Sequence, residues 1–301
     1  MRNSFYSYLI FSLTILCVGC STQKKSAVSD GVDLDSAEQA VYQLRSLHFE
    51  QNYRLATQRG STFTETFPNS VQLEAWLLIN RAKSGASSTA LRQAKKLLEE
   101  HPQDSWSYFA LALVHKAHGN NRTASDRAAQ AFSKHSQHPD FLWMRAATML
   151  NDNSAITFAD SVQQNGEVPT ALLIEKGKRL AALSDPQKDS FANDYFQRAR
   201  DIFKKVQDRN PQYFGAWYWP AHYLNTKGQP TRAYPLYKES VRLTTALAPH
   251  AEYWRFVIEA DKQAIPQKGQ VLDRDIDWLK QQRTITPDML FSIATTIGSW
   301  V

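Results

Sequence analysis

Small and apolar residues in this chain recur at helical spacings, and the helices they define recur in pairs. The stretch 71–104 shows the unit. A first helix is predicted over about 72–83, with Ala75, Leu77, Leu78, Ile79 and Ala82 as its small or apolar positions. Gly85 closes it, since glycine alone adopts positive φ without penalty. A second helix starts near Ser88-Thr89 and carries Ala90, Leu91, Ala94, Leu97 and Leu98 at spacings of three and four. His101-Pro102 stops it. The unit then repeats. Ala56, Ala90 and Ala124 are 34 residues apart, as are Pro68 and Pro102, Gly85 and Gly119, and Ala199 and Ala233. A fixed period of this length marks a two-helix repeat, so the chain is predicted to be an all-α solenoid of antiparallel helix pairs.

The pattern resembles the tetratricopeptide repeat (TPR), whose consensus places small residues at positions 8, 20 and 27, a turn glycine near 15 and proline at 32. Residues 105–138 follow it with Ala112, Gly119, Ala124, Ala128 and Ala131, and Ser136 stands where proline is usual. Residues 37–70 contribute Asn52-Tyr53 at the turn, Ala56 and Pro68; residues 214–247 contribute Trp217, Ala221, Leu224, Gly228, Ala233 and Tyr237. The helix Tyr195–Arg209, with Ala199, Phe203 and Val206, belongs to another unit. Its first helix is placed at about 170–183 by an insertion at 184–188. Residues 139–169 keep helical periodicity without a clean turn glycine. The resemblance implies a superhelix of five to six repeats over 36–250. Helical segments at about 251–264, 272–283 and 287–299 then cap its open edge, the last carrying Met289, Leu290, Phe291, Ile293, Ile297 and Trp300.

The N-terminus does not share this pattern. Met1-Arg2-Asn3 precedes a short apolar run to Val18, too short to span a bilayer, and Gly19-Cys20 ends it. This ending resembles the bacterial lipobox, which implies a signal peptide over 1–19 and lipid on Cys20. It departs from the family in having Cys17 where leucine is usual. A plain signal peptide with an incidental cysteine is the other reading. Cys17 and Cys20 are the only cysteines, so the mature chain would carry no free thiol and no disulfide. Residues 20–35 are polar and aperiodic, and read as a flexible tether. Ser21 after the cysteine, by the same resemblance, points to the outer membrane of a Gram-negative envelope. Removing residues 1–19 takes away one arginine and no acid, leaving 34 basic against 29 acidic side chains. The bases are scattered, which describes a solvated surface; nucleic acid is not an expected partner.

Chemistry is sparse. His115 and His118, and His135 and His138, are pairs one helical turn apart. They lie at opposite ends of a helix of about 14 residues, roughly 20 Å from each other, too far to share a metal. No phosphate loop, His-Glu-x-x-His or Gly-x-Ser-x-Gly motif is present. The sequence therefore predicts no enzyme, no cofactor and no metal site.

Binding is the remaining function. In the TPR family the first helices line a concave groove, chiefly through repeat positions 2, 5, 9, 12 and 13. The resemblance thus assigns to a protein-binding groove Ala75 and Ile79, then Trp106, Phe109 and Leu113, then Tyr218 and His222. Members that grip chaperone C-termini clamp a carboxylate with Lys and Asn there; Val41, Arg45, Ala75, Ile79, Phe109 and Leu113 do not supply that clamp. In the aromatic run 213–220, Trp217 is the expected core residue, leaving Tyr218 and Trp219 partly exposed, and Pro220 is expected to bend its helix. An apolar, aromatic groove suits an amphipathic helix or extended segment. Equally, the chain's own helices could fill it. The expected role is a lipid-anchored scaffold for envelope proteins, in assembly of a pilus, secretin, secretion or polysaccharide-export machine. An adaptor of peptidoglycan enzymes comes second and a structural homo-oligomer third.

Overall fold

The computed structural model describes residues 36–184 and 190–244, together with positions 250, 252, 253, 256 and 257, which are helical. The signal segment, Cys20, the tether, residues 185–188 of the expected insertion and the helices expected at 272–283 and 287–299 lie outside the described residues.

Twelve helices lie among the described residues, and they form six antiparallel pairs: α1 (Ala37–Phe49) with α2 (Tyr53–Thr66), α3 (Val71–Lys83) with α4 (Ser87–Glu100), α5 (Ser105–Ala117) with α6 (Asn121–Lys134), α7 (Pro139–Thr148) with α8 (Asp152–Gln164), α9 (Thr170–Leu183) with α10 (Ser190–Arg209), and α11 (Gly215–Thr226) with α12 (Pro230–Arg242). Each odd helix packs on its own partner, on the preceding even helix and on the next odd helix, which is the nearest-neighbour architecture of a solenoid. The odd helices form one layer and the even helices the other.

Local chemistry explains the pairing. The helix starts repeat with the same period as the alanines. Ser36, Ser70, Asp104 and His138 are N-caps of α1, α3, α5 and α7, and each side chain accepts a hydrogen bond from a backbone N–H of its first turn. His138, read from sequence as a polar helix end, is thus a cap. Gly85 (φ +107°) and Gly119 (φ +87°) occupy the left-handed conformation that turns the chain between helices of a pair. Gln51, 34 residues before Gly85, takes the same conformation without glycine's freedom (φ +61°). Ala56, Ala90 and Ala124 have no exposed surface, because there the even helices approach their neighbours most closely. The stretch without a turn glycine forms α7 and α8 all the same, joined through Met149–Asn151, with Asn151 capping α8.

The core divides into three clusters along the solenoid, with half-buried Phe132, Tyr213 and Trp219 packed between neighbouring ones. Trp76, fully buried, lies edge-on to Phe109 with ring centroids 5.4 Å apart and stacks on Trp143 at 6.2 Å. Phe109 in turn meets Phe141 at 5.1 Å. On α9, Gly177 leaves room for the buried Phe203 of α10, whose ring would lie 2.7 Å from an added Cβ.

Candidate functional site

The inner layer curls tightly enough for α1 to meet α7. The Arg45 Nε lies 2.7 Å from the buried Asp140 Oδ1, and Phe49 is edge-on to Trp143 at 5.0 Å. Burial pushes the Asp140 carboxyl up to about 6 despite the guanidinium beside it. This curvature decides the fate of the groove residues expected from the sequence. Ala75, Ile79, Trp106, Phe109, Leu113 and Tyr218 are all buried, Trp106 with 8% of its surface exposed and Phe109 with none. Trp106 is enclosed by Phe109 and Phe141, with centroids at 4.9 and 4.7 Å, and by His138. Tyr218 is covered by Phe214 and Tyr237, and its hydroxyl donates to Glu252. Docking on Ala75, Trp106, Phe109 and Tyr218 is therefore corrected: in a superhelix this tight, the inner aromatic stripe is core. In the aromatic run the order is also reversed. Tyr218 is buried, and Trp217 is half-buried with its indole N–H on the Pro211 carbonyl at 2.9 Å. His222 is engaged by Glu252, whose carboxylate also accepts from Tyr218 and Tyr237 and is held below its ordinary pKa by these hydrogen bonds, against the opposing effect of burial.

Ile79, Leu113 and Trp219 have another place. They line a cavity of about 120 Å³ on the inner wall, where the C-terminal halves of α1, α3, α5 and α7 meet the first turns of α9. Its charged side chains are Lys83 from α3, Lys116 from α5, and Glu175 and Lys178 from α9. Glu175 is 5% exposed, and Arg179 Nε and Lys178 Nζ donate to its two oxygens at 3.0 Å each. Burial opposes ionisation, but Lys178, Lys116 and Arg179 outweigh it and hold the carboxyl at about 2. Lys116 is pushed down to about 8 by burial, helped by the neighbouring cations, with Glu175 opposing; Lys83 is lowered by burial and then by Lys178.

Helix α7 accounts for part of this cluster. It ends early, at Thr148, leaving last-turn carbonyls without intrahelical partners. Lys116 donates to the Ala147 carbonyl, and Arg179 Nη2 donates to Ala147 and Ala146 at 2.8 and 3.2 Å. Cations at a helix C-terminus are also favoured by its dipole. Arg179 Nη1 further pairs with Asp152 at 2.6 Å. Lys178 lies 4.4 Å above the Trp219 ring, a cation–π contact. His48, at the floor, is hydrogen-bonded through Nδ1 to Asn80 Oδ1 at 3.0 Å, and burial lowers its pKa to about 3, so it is neutral at ordinary pH.

A second, more open cavity of about 490 Å³ adjoins the first and shares Phe49, Ala171 and Tyr213 with it. Tyr42 (68% exposed), Arg45, Pro139, Pro169 and Tyr213 form an aromatic and prolyl trough, with Glu50 and Glu167 at its sides. Neither the trough nor the lysines were singled out from the sequence. The signal for two lysines was there, since repeat positions 12 and 13 hold Lys116 and Lys83 in successive units. The convergence with Lys178 needed the superhelical curvature. Among the described residues, no group of three or more His, Cys, Asp or Glu could hold a metal ion, and no helix is long and apolar enough to cross a membrane.

Six stacked antiparallel pairs, the first four starting 34 residues apart, define a helical-repeat solenoid of the tetratricopeptide kind. The chain is similar to several solved structures. A chain of the APC/C hetero-tetramer Cut9–Hcn1 superposes with a TM-score of 0.58 at 13% identity, over 88% of this chain and 50% of that one, so this chain spans about half its length. A tetratricopeptide repeat protein from Parabacteroides merdae gives a TM-score of 0.47 at 11% identity, over 86% of this chain and 98% of that one. PilW, a type IV pilus biogenesis factor, gives 0.46 at 15%, over 69% and 94%. No protein-family model and no curated protein sequence matches the chain.

Proposed function

We propose that this protein is a protein-interaction scaffold that holds a segment of a partner along its inner wall and is fixed to a bacterial envelope membrane by lipid on Cys20. The observation that carries the binding role is the open trough of about 490 Å³ beside the smaller cationic cavity. Its aromatic and prolyl walls suit an extended or helical segment, with shape supplied by rigid helices instead of loops. Arg45, Glu50 and Glu167 offer charged contacts along it. The anchor is supported by Gly19-Cys20 after the short apolar run, and by the absence of any other cysteine after Cys20. The polar tether lets the folded body search near the membrane and raises the effective concentration of partners there. Assembly of an envelope machine is the role such a tethered scaffold fits best.

Crosslinking in native membranes followed by identification of the captured proteins tests the scaffold role. Repeated recovery of one envelope complex is expected, and recovery of none would remove the proposal. For the anchor, Cys20→Ser should release the protein from the membrane fraction; a variant that still fractionates with membranes rejects lipidation as the attachment.

A further inference from the structure

We propose that the inner cavity is a carboxylate site, in which Lys83, Lys116 and Lys178 seat the acidic group of a ligand entering from the adjoining trough. This rests on reading the inner wall as the binding face, and it names the chemistry of what binds there.

Charge is the first argument. Three ammonium groups line the cavity with a single carboxylate, Glu175, so its wall carries an excess of two positive charges. His48 is neutral, and the neighbouring Arg179 is matched by Asp152. Hydrogen-bonding capacity is the second. The Glu175 oxygens accept from Arg179 and Lys178, and Glu175 acts on Lys83 through its charge, with no hydrogen bond between them. Among the described residues Lys83 has no hydrogen-bond or ion-pair partner, and each ammonium group has three N–H donors. Lys116 spends one on the Ala147 carbonyl.

Size and access complete the case. A volume of about 120 Å³ admits a carboxylate with its first carbons or a few waters, but not a larger polyanion. Phe49, Ala171 and Tyr213 are common to cavity and trough, so a segment lying in the trough can place an Asp or Glu side chain into the cavity. Trp143 and Trp219 stand in the wall and would report occupancy. Lys116 and Lys83 are lowered by burial first and by neighbouring cations second, and an arriving carboxylate opposes both effects. Binding should therefore weaken above about pH 8, where Lys116 loses its proton.

The test uses the full chain in detergent at constant ionic strength, with tryptophan fluorescence as the readout. Four probes are titrated: succinate, its neutral diamide, the blocked tripeptide Ac-Ala-Glu-Ala-NH2, and the same tripeptide with Gln for Glu. A saturable response to succinate or to the Glu tripeptide is expected, with none to the two neutral probes. Response to the tripeptide assigns the carboxylate to a protein partner, whereas response to succinate alone assigns it to a small free acid. Lys83→Met, which breaks no contact seen among the described residues, should weaken either by about tenfold. No saturation, equal response to the neutral probes, or unchanged affinity in Lys83→Met overturns the site. If the site fails while partner capture in membranes persists, the trough remains the docking face and only the carboxylate chemistry is removed.

Discussion

Replacing Glu175 by Gln tests how the inner wall is held together. The carboxylate is buried and accepts from Lys178 and Arg179 at 3.0 Å each. Its folded pKa of about 2, against an ordinary value of 4.5, corresponds to about 3 kcal/mol favouring the charged form. Removing one member of a buried ion pair costs about 3–5 kcal/mol when the remaining charge is left without compensation. The cavity is reached by solvent on one side, so the lower end of that range applies here, about 3 kcal/mol. For a body of this size each kcal/mol lowers Tm by about 2–4 °C, so thermal unfolding at pH 7 should shift down by about 6–12 °C. The pH dependence has a definite sign. A depressed carboxyl pKa gives stability that is present above pH 4.5 and lost as pH falls towards 2. The gap between wild type and variant should therefore be constant from pH 5 to 7 and close below 4.5. A companion Lys178→Met change should restore part of the loss. A shift under about 2 °C, or a gap that widens in acid, would refute the idea that Glu175 neutralises this cluster.

Three further outcomes follow from single contacts. Gly177→Ala brings a methyl group to within 2.7 Å of the buried Phe203 ring and should cost about 1–3 kcal/mol, measured by denaturant midpoint. Gln51→Gly relieves a left-handed non-glycine residue at a turn where the next two pairs have glycine, and should stabilise by about 1 kcal/mol in the same assay. His48 has a depressed pKa of about 3, so the unfolded chain binds its proton more readily between pH 3 and 6.5, and stability should rise with pH across that window. His48→Gln should flatten that part of the curve; an unchanged slope would mean that His48 is not buried as seen.

Much of the fold could be read from local chemistry because a solenoid is built from local contacts. The recurring alanines, turn glycines and caps each act within one pair or between neighbours, so their spacing carries the architecture directly. The repeat boundaries at Gly85, Gly119 and Pro102 follow from this, and so does the helix over 170–183. The inner wall was less legible, for a physical reason. Whether Trp106 and Phe109 face solvent or core depends on superhelical curvature, a sum of small rotations over several repeats that no single unit encodes. The contacts of Arg45 with Asp140 and of Phe49 with Trp143 span about a hundred residues, and they turn the expected groove stripe into packing. The same curvature gathers Lys83, Lys116 and Lys178. Lys178 follows the irregular α7–α8 unit, outside the clean 34-residue register, so its convergence with the other two had no signature in spacing.

The central claim is that partners are held on the inner wall, and photocrosslinking from two positions tests it most directly. A crosslinker at Tyr42, which is exposed on the trough, is compared in native membranes with one at Arg122, which is exposed on α6 and absent from the trough and cavity linings. The account predicts a discrete adduct with an envelope protein from position 42 and none from position 122. The same adduct from both positions, or from position 122 alone, would contradict it.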